Sequence, residues 1–421
     1  MNVLEREIKK CTRRIKKIEQ HPDPTKLKSN RLFYEAELKV RQKQLQAWKD
    51  GKPFVYVDGY PYEIFEAMGF EVLDVVNLAD RSVADSERYF NIVREAGLPI
   101  DSCDRVIISA ALALSGDMPP PSFIGTANLT CFPHVYCNMA LEHHFDVPSY
   151  NVDVWAGNHS YESIQYITDQ LREMIDMLER SMPGIKFDED RLAELQAPAK
   201  ISTDLLHDIY GFKKAVPCPI TGQDALRMPP FFCVGPYLEW TQAMHDEIAE
   251  RVAKGQGVLE GGERMRMMWL VAAPLYVNVF DFLEKRGVSV PIYLYDIAPR
   301  LFGITPGYGD ETEYGRKLTP LEEAARIMNR VSWGQPGPEW YNDVVQESKH
   351  FKVDGVVHFM QSGCATTIPS AKIVADRLEK EVGIPTLMID GRSLDSSSYD
   401  QTEFQRKLED FINLCALKKG T

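Results

Sequence analysis

The sequence lacks several features that would reveal its chemistry at once, and each absence removes a class. It has no C-x2-C pair, so the close clip of an ordinary structural zinc site is missing. It has no G-x-x-x-x-G-K-[ST] loop, so nothing reads as a Walker-type nucleotide hydrolase. No charge-free apolar run approaches the roughly 18 residues of a membrane span, and residues 1–20 alternate charges where a secretory leader has an apolar stretch. Positive charge is in deficit: 48 Lys and Arg stand against 61 Asp and Glu, a formal net charge of −13. Phosphate backbones need clustered cations, so a general nucleic-acid surface is not expected. The expectation is a cytoplasmic chain with neither nucleic acid nor membrane among its partners.

What is present is a 421-residue chain, 44% apolar, too long for one ordinary core and normal for two or three globular domains. Residues 4–51 are rich in Lys, Glu, Gln and Leu and break at His21-Pro22-Asp23-Pro24. This predicts a helical N-terminal appendage over residues 1–50. Phe54-Val55-Tyr56-Val57, a helical stretch over 61–68, a turn at Gly69 and Glu71-Val72-Leu73-Asp74-Val75 then give strand, helix, strand. That unit builds parallel sheets and opens a first α/β lobe over 51–155. Residues 156–264 read as a mostly helical connector, with periodic segments over 164–182 and 238–254 around a Pro-rich loop over 217–236. A second α/β lobe follows over 265–421, with strands at Pro291-Ile292-Tyr293-Leu294-Tyr295 and Asp354-Gly355-Val356-Val357-His358-Phe359. The expected class is α/β: two Rossmann- or flavodoxin-like lobes with parallel sheets.

An internal echo links the lobes. Ser122-Phe123-Ile124-Gly125 leads through Asn128-Leu129-Thr130-Cys131 into a helix, then Asp146-Val147-Pro148 and a strand ending at Asp153. Gly355-Val356-Val357-His358-Phe359 leads through Gln361-Ser362-Gly363-Cys364 into a helix, then Gly383-Ile384-Pro385 and a strand ending at Asp390. In each half a cysteine falls between strand and helix, where open α/β sheets bind ligands. Cys103 follows Gly97-Leu98-Pro99-Ile100-Asp101-Ser102 at the start of the apolar helix over 106–114, again a helix N-terminus. Backbone N–H groups and the helix dipole at such positions favour thiolate.

There are eight cysteines in all, and disulfides are rare in a reducing compartment, so they are buried small hydrophobes or ligands. Spacing carries the argument only as far as a thiolate site of Cys103, Cys131 and Cys364, compatible with a cubane cluster that leaves one iron open. Cys137 reads as packing, and Cys11, Cys218, Cys233 and Cys415 have no ligand position to match.

At these residues the chain resembles the 2-hydroxyacyl-CoA dehydratase subunits and the related ATP-dependent benzoyl-CoA reductase subunits, from about Gly51 to the C-terminus. The three cysteine segments carry the resemblance, together with Pro219-Ile220-Thr221-Gly222-Gln223-Asp224 and Gly262-Glu263-Arg264-Met265-Arg266-Met267-Met268. It implies a [4Fe-4S] cluster on Cys103, Cys131 and Cys364, a homologous second subunit, an ATP-hydrolysing iron–sulfur activator as electron donor and an acyl-CoA substrate. It also implies a substrate-facing role for Asp58. Gly363-Cys364 with Thr366 and Thr367, and Val152-Asp153-Val154, look more like the ring-reducing branch, and Ala365 stands where dehydratase subunits often carry Lys. The expected function is therefore low-potential electron delivery to an acyl-CoA of the benzoyl-CoA reductase type. Three alternatives stay open: a 2-hydroxyacyl-CoA dehydratase subunit, a double-cubane [8Fe-9S] reductase that would also use Cys137, Cys218 and Cys233, and a non-redox two-lobed binding protein. His134 and His358 read as core or capping histidines, and Glu263, Arg264 and Arg266 as a salt-bridged helix face.

Overall fold

The computed structural model describes residues 1–81, 86–129, 131–155, 158–227, 233–293, 314–330, 338–397 and 399–420. Leu294 and Tyr295 of the expected strand, and residues 228–232 of the Pro-rich loop, lie outside them.

Two helices open the chain, α1 (Val3–Gln20) and α2 (Asn30–Lys49). Asn2 and Glu5 cap the first reciprocally, each side chain satisfying the other's backbone N–H. Neither helix is peripheral. Gln44 donates to the Val72 carbonyl at 2.8 Å, and Glu37 is fully buried, 2.8 Å from the Arg81 guanidinium. Burial opposes the Glu37 charge, yet Arg81 and Arg41 hold the carboxyl below its usual range, and Tyr237 donates to it. One buried carboxylate thus ties α2 to the lobe and connector that follow, while the Val3 N–H of α1 donates to the Asp117 carbonyl at 3.1 Å.

The first lobe runs β1 (Phe54–Asp58), α3 (Tyr62–Ala67), β2 (Glu71–Asp74), α4 (Val75–Asp80), α5 (Ser86–Glu95), α6 (Asp104–Leu114), β3 (Phe123–Ala127), α7 (Phe132–Phe145) and β4 (Ser149–Val152). All its strand pairs are parallel, in the order β2-β1-β3-β4. Helices cover both faces, which is why β1 and β3 are near-continuous apolar runs rather than alternating ones. The connector holds α8 (Tyr161–Ser181), α9 (Glu189–Phe212), the single turn α10 (Gly222–Ala225) and α11 (Leu238–Ala253).

The second lobe comprises β5 (Met265–Leu270), α12 (Val279–Glu284), β6 (Val288–Tyr293), α13 (Pro320–Arg330), α14 (Pro338–His350), β7 (Gly355–Gln361), α15 (Thr367–Glu381), β8 (Thr386–Gly391) and α16 (Gln401–Lys419). Its sheet, β6-β5-β7-β8, is again all parallel and repeats the first order strand for strand. The echo in the sequence is therefore a repeat of topology. One helix crosses over: Leu321, Ala324, Ala325 and Met328 of α13 share a core with Phe65, Ile164 and Leu171 of the first half. Their spacing puts all four on one helical face. The helix goes where that face is buried.

Candidate functional site

Cys131 and Cys364 both leave the carboxyl end of a central strand. Cys131 caps α7 in an extended conformation, and its carbonyl accepts the His134 N–H at 3.1 Å. Asn128 holds the loop before it: its amide donates to Asp153 and its oxygen accepts the Val154 N–H at 2.7 Å. Cys364 sits in a turn closed by its own N–H on the Gln361 carbonyl at 2.9 Å, three residues before α15 rather than at the cap. Cys103 caps α6, and its carbonyl accepts the Ile107 N–H at 3.0 Å.

The turn of Cys364 rests directly on the start of α6. Gly363 has φ +75°, and a Cβ added there would stand 2.4 Å from the Ser102 carbonyl carbon and 2.6 Å from the Cys103 nitrogen. Only glycine permits that approach. Cys103 lies within electrostatic reach of Cys364, and Cys131 within reach of both.

The thiols differ from expectation in one respect. Burial pushes Cys103 up to about 12, aided by the Asp104 and Cys364 charges, and burial with Asp58 raises Cys131 well above its ordinary value. The helix starts do not offset desolvation beside two carboxylates, so in the free chain these are thiols, not thiolates. Among the described residues, no three His, Cys, Asp or Glu side chains close around a single metal ion. A cubane makes a different demand, since each thiolate binds a different iron of one core. Three cysteines from three separate segments, within electrostatic reach of one another, suit that donor chemistry, and the buried Cys103 and Cys131 would give up their protons on binding metal.

Asp58 ends β1, half-buried, and its carboxylate lies 3.8 Å from Nδ1 of the buried His134, beside Cys131. The pairing brings the expected Asp58 together with a histidine that the sequence presents only as a core or capping residue. His358 lies elsewhere, fully buried on β7 with its ring 6.2 Å from Trp340, and burial pushes it down to about 4 so that it stays neutral.

The remaining cysteines stay outside this group. Cys137 points at the Val106 carbonyl, Cys218 at the Ile220 carbonyl at 3.2 Å in the connector core, Cys233 packs with the first lobe and α13, and Cys415 fills the second-lobe core. The six cysteines required for a double cubane are thus spread over separate cores. Arg266 lies on β5, not on a helix, in a buried 2.7 Å ion pair with Glu263, and also donates to the carbonyls of Phe351 and Ala215. That strand position gives it a structural task. Asp224, in another segment of the resemblance, likewise receives the Leu27 N–H and the Asn30 amide.

Sequence reasoning missed Asp104, Gln361, Arg392 and Ser393, which lie where the Gly363 turn meets Ser102 and Cys103. Asp104 is fully buried and accepts from Gln361 Nε2 at 2.7 Å and the Leu394 N–H at 2.6 Å. An acid directly after a candidate ligand was the available signal.

A family model described as 2-hydroxyglutaryl-CoA dehydratase, D-component, matches residues 59–414. The alpha subunit of (R)-phenyllactyl-CoA dehydratase from Clostridium sporogenes is 23% identical over 377 residues, covering 86% of this chain and 88% of the relative. The alpha subunit of (R)-2-hydroxyglutaryl-CoA dehydratase from Acidaminococcus fermentans is 24% identical over 304 residues, covering 70% and 60% respectively. The chain belongs to the 2-hydroxyacyl-CoA dehydratase family and is an enzyme subunit of that type.

These matches favour the dehydratase branch over ring reduction. The residues that look like reductase markers have structural explanations: Gly363 is required by its contact with Ser102, and Val152 and Val154 are core residues of the first lobe. No helix among the described residues is long and apolar enough to cross a membrane.

Proposed function

We propose that this chain is the cluster-bearing subunit of a 2-hydroxyacyl-CoA dehydratase, with Cys103, Cys131 and Cys364 holding a [4Fe-4S] cluster at the seam between the lobes. The observation that carries the reading is the convergence of three cysteines from three elements, two of them at the carboxyl ends of equivalent strands. When bound, the cluster would lend a low-potential electron to the thioester carbonyl and recover it once the 2-hydroxyl group and a proton from the adjacent carbon have left as water, so that the elimination is redox-neutral.

The chain's own residues handle the rest. In this reading the Asp58 carboxylate, 3.8 Å from His134, binds the 2-hydroxyl group and takes the proton lost from the carbon next to it, while the departing hydroxyl gains a proton to leave as water. Asn128 fixes the loop that carries Cys131 beside this pair. The electron comes from outside, because the chain has no Walker loop: the reading includes an ATP-hydrolysing iron–sulfur activator and a homologous second subunit. The names of the relatives, both alpha subunits, support a partner, and so does the exposed row of Phe132, Tyr136 and Met139 along one face of α7.

The test is an anaerobic assay of the chain with its partner subunit, activator and ATP. Formation of a 2-enoyl-CoA from a 2-hydroxyacyl-CoA is expected. Reduction of benzoyl-CoA without dehydration would favour the ring-reducing reading instead.

A further inference from the structure

The Cys103 and Cys364 segments come from different lobes and meet where Gly363 rests on Ser102, so the spacing of the two cysteines depends on whatever fixes one lobe against the other. At this seam the structure holds a buried polar network. The Asp104 carboxylate, adjacent to Cys103, accepts Gln361 Nε2 on one oxygen at 2.7 Å and the Leu394 N–H on the other at 2.6 Å. Gln361, three residues before Cys364, in turn accepts the Ser393 N–H at 3.0 Å and the Ser393 hydroxyl on its amide oxygen. The Arg392 guanidinium donates to the carbonyls of Ile100 and Ser102 at 3.3 and 3.4 Å. The loop after β8 is then pinned into the other lobe, where Leu394 is fully buried in the core with Ile107 and Ala111. Asp104, Gln361 and Ser393 are all at least 98% buried, and the bonds just named occupy them.

We infer that Asp104 and Gln361 are positioning residues: their hydrogen bond clasps the two lobes so that Cys103 and Cys364 are held at ligand spacing before any cluster is present. The inference rests on the three-thiolate reading for its purpose but not for its geometry. The Cys103 segment is attached to the first lobe through α6 and the Cys364 segment to the second through β7. Asp104–Gln361 is a side-chain-to-side-chain bond between them, one residue after Cys103 and three before Cys364, beside the Arg392 bonds to Ile100 and Ser102. Its polarity is specific. A carboxylate at position 104 can accept from two donors, whereas an amide there turns an N–H toward one of them and leaves two donors facing each other in a dry site. Exchanging the roles, D104N together with Q361E, supplies a carboxylate acceptor for the new amide N–H and restores the match.

The experiment compares the wild-type chain with D104N, Q361E and the double variant. In metal-free protein, a short bis-maleimide is used to link Cys103 to Cys364, and the linked peptides are measured by mass spectrometry. In parallel, iron and sulfide are counted after anaerobic reconstitution. Each single variant is expected to lose about threefold or more in cross-link yield and in retained iron, and the double variant to recover to within about twofold of wild type. Wild-type yields in both singles, or a double variant no better than either single, would overturn the inference. A chain that takes up no iron in any form but follows the cross-link pattern upholds the clasp and overturns the cluster reading. If D104N does not fold, Ser393→Ala removes one hydroxyl from Gln361 while leaving Asp104 paired, and a reduced Cys103–Cys364 yield is expected there too; an unchanged yield counts against the clasp.

Discussion

Gly363 lies against Ser102 so closely that a Cβ on it would stand 2.4 Å from the Ser102 carbonyl carbon, with φ at +75°. A side chain is therefore excluded twice, by space and by backbone conformation. The obstructing atoms are backbone, so nothing can swing aside. Here the backbone of the Cys364 segment rests on the backbone just before Cys103. Gly363→Ala is expected to cost on the order of 2–4 kcal/mol and to separate the two cysteines. Chemical denaturation together with the iron content of the variant checks it, and a stable variant with full iron would place the close approach elsewhere.

Asn128 predicts a milder effect of the same kind. It joins the Cys131 loop to the strand end at Asp153 and Val154 through both ends of its amide. Asn128→Ala is expected to remove about 1–2 kcal/mol and to lower iron retention, because Cys131 is released with the loop. Protection of the Val154 amide from hydrogen exchange should fall in parallel.

Cys415 provides the contrasting case. Its sulfur packs so tightly on Gly355 that a Cβ there would lie 2.6 Å away, and it is buried in the second-lobe core with Phe411. Cys415→Ala removes one sulfur from a packed interior and is expected to cost about 1 kcal/mol while leaving iron content unchanged. Loss of iron in that variant would require a ligand role that its position does not offer.

A pH effect follows from Glu63, buried on α3. Burial pushes its carboxyl up to about 8 from an ordinary 4.5, and the nearby Glu66 adds to the shift. The unfolded chain gives up this proton near 4.5 while the folded chain keeps it until about 8. Over that window the unfolded state binds fewer protons, so stability is full below the unfolded value and falls as pH rises, levelling off above the folded one. Glu63→Gln cannot titrate. Between about pH 5 and about pH 9 the wild type is expected to lose on the order of 3 kcal/mol more stability than the variant. Denaturation midpoints of both chains at the two ends of the range measure the difference, and parallel pH profiles would refute the assignment.

The sequence carried the local features well. Runs such as Phe54-Val55-Tyr56-Val57 have room for only one backbone solution when both faces are to be covered, and they became β1 and its counterparts. The echo around Cys131 and Cys364 became two sheets of identical order. Less legible was anything decided by residues far apart in the chain. The amphipathic face of α13 shows that the helix must be buried, but not that it packs on α8 in the first half of the molecule. Asp104 was not legible as a positioning residue, because its partners Gln361 and Leu394 lie more than 250 positions away. The thiol states were misjudged for a related reason: helix starts are visible in a sequence, whereas the desolvation and the carboxylates at Asp58 and Asp104 that dominate are assembled only by folding.

Whether three thiolates from the two lobes hold one cubane cluster is decided most directly by iron and sulfide analysis of anaerobically purified chain, wild type beside Cys364→Ala. Cys364 is the informative position because it alone comes from the second lobe, so its loss removes the ligand that bridges the seam. About four irons with matching sulfide are expected in the wild type, and well under one in a folded Cys364→Ala chain. Full iron in Cys364→Ala, or a wild-type chain that takes up none under reconstitution, would contradict the shared cluster.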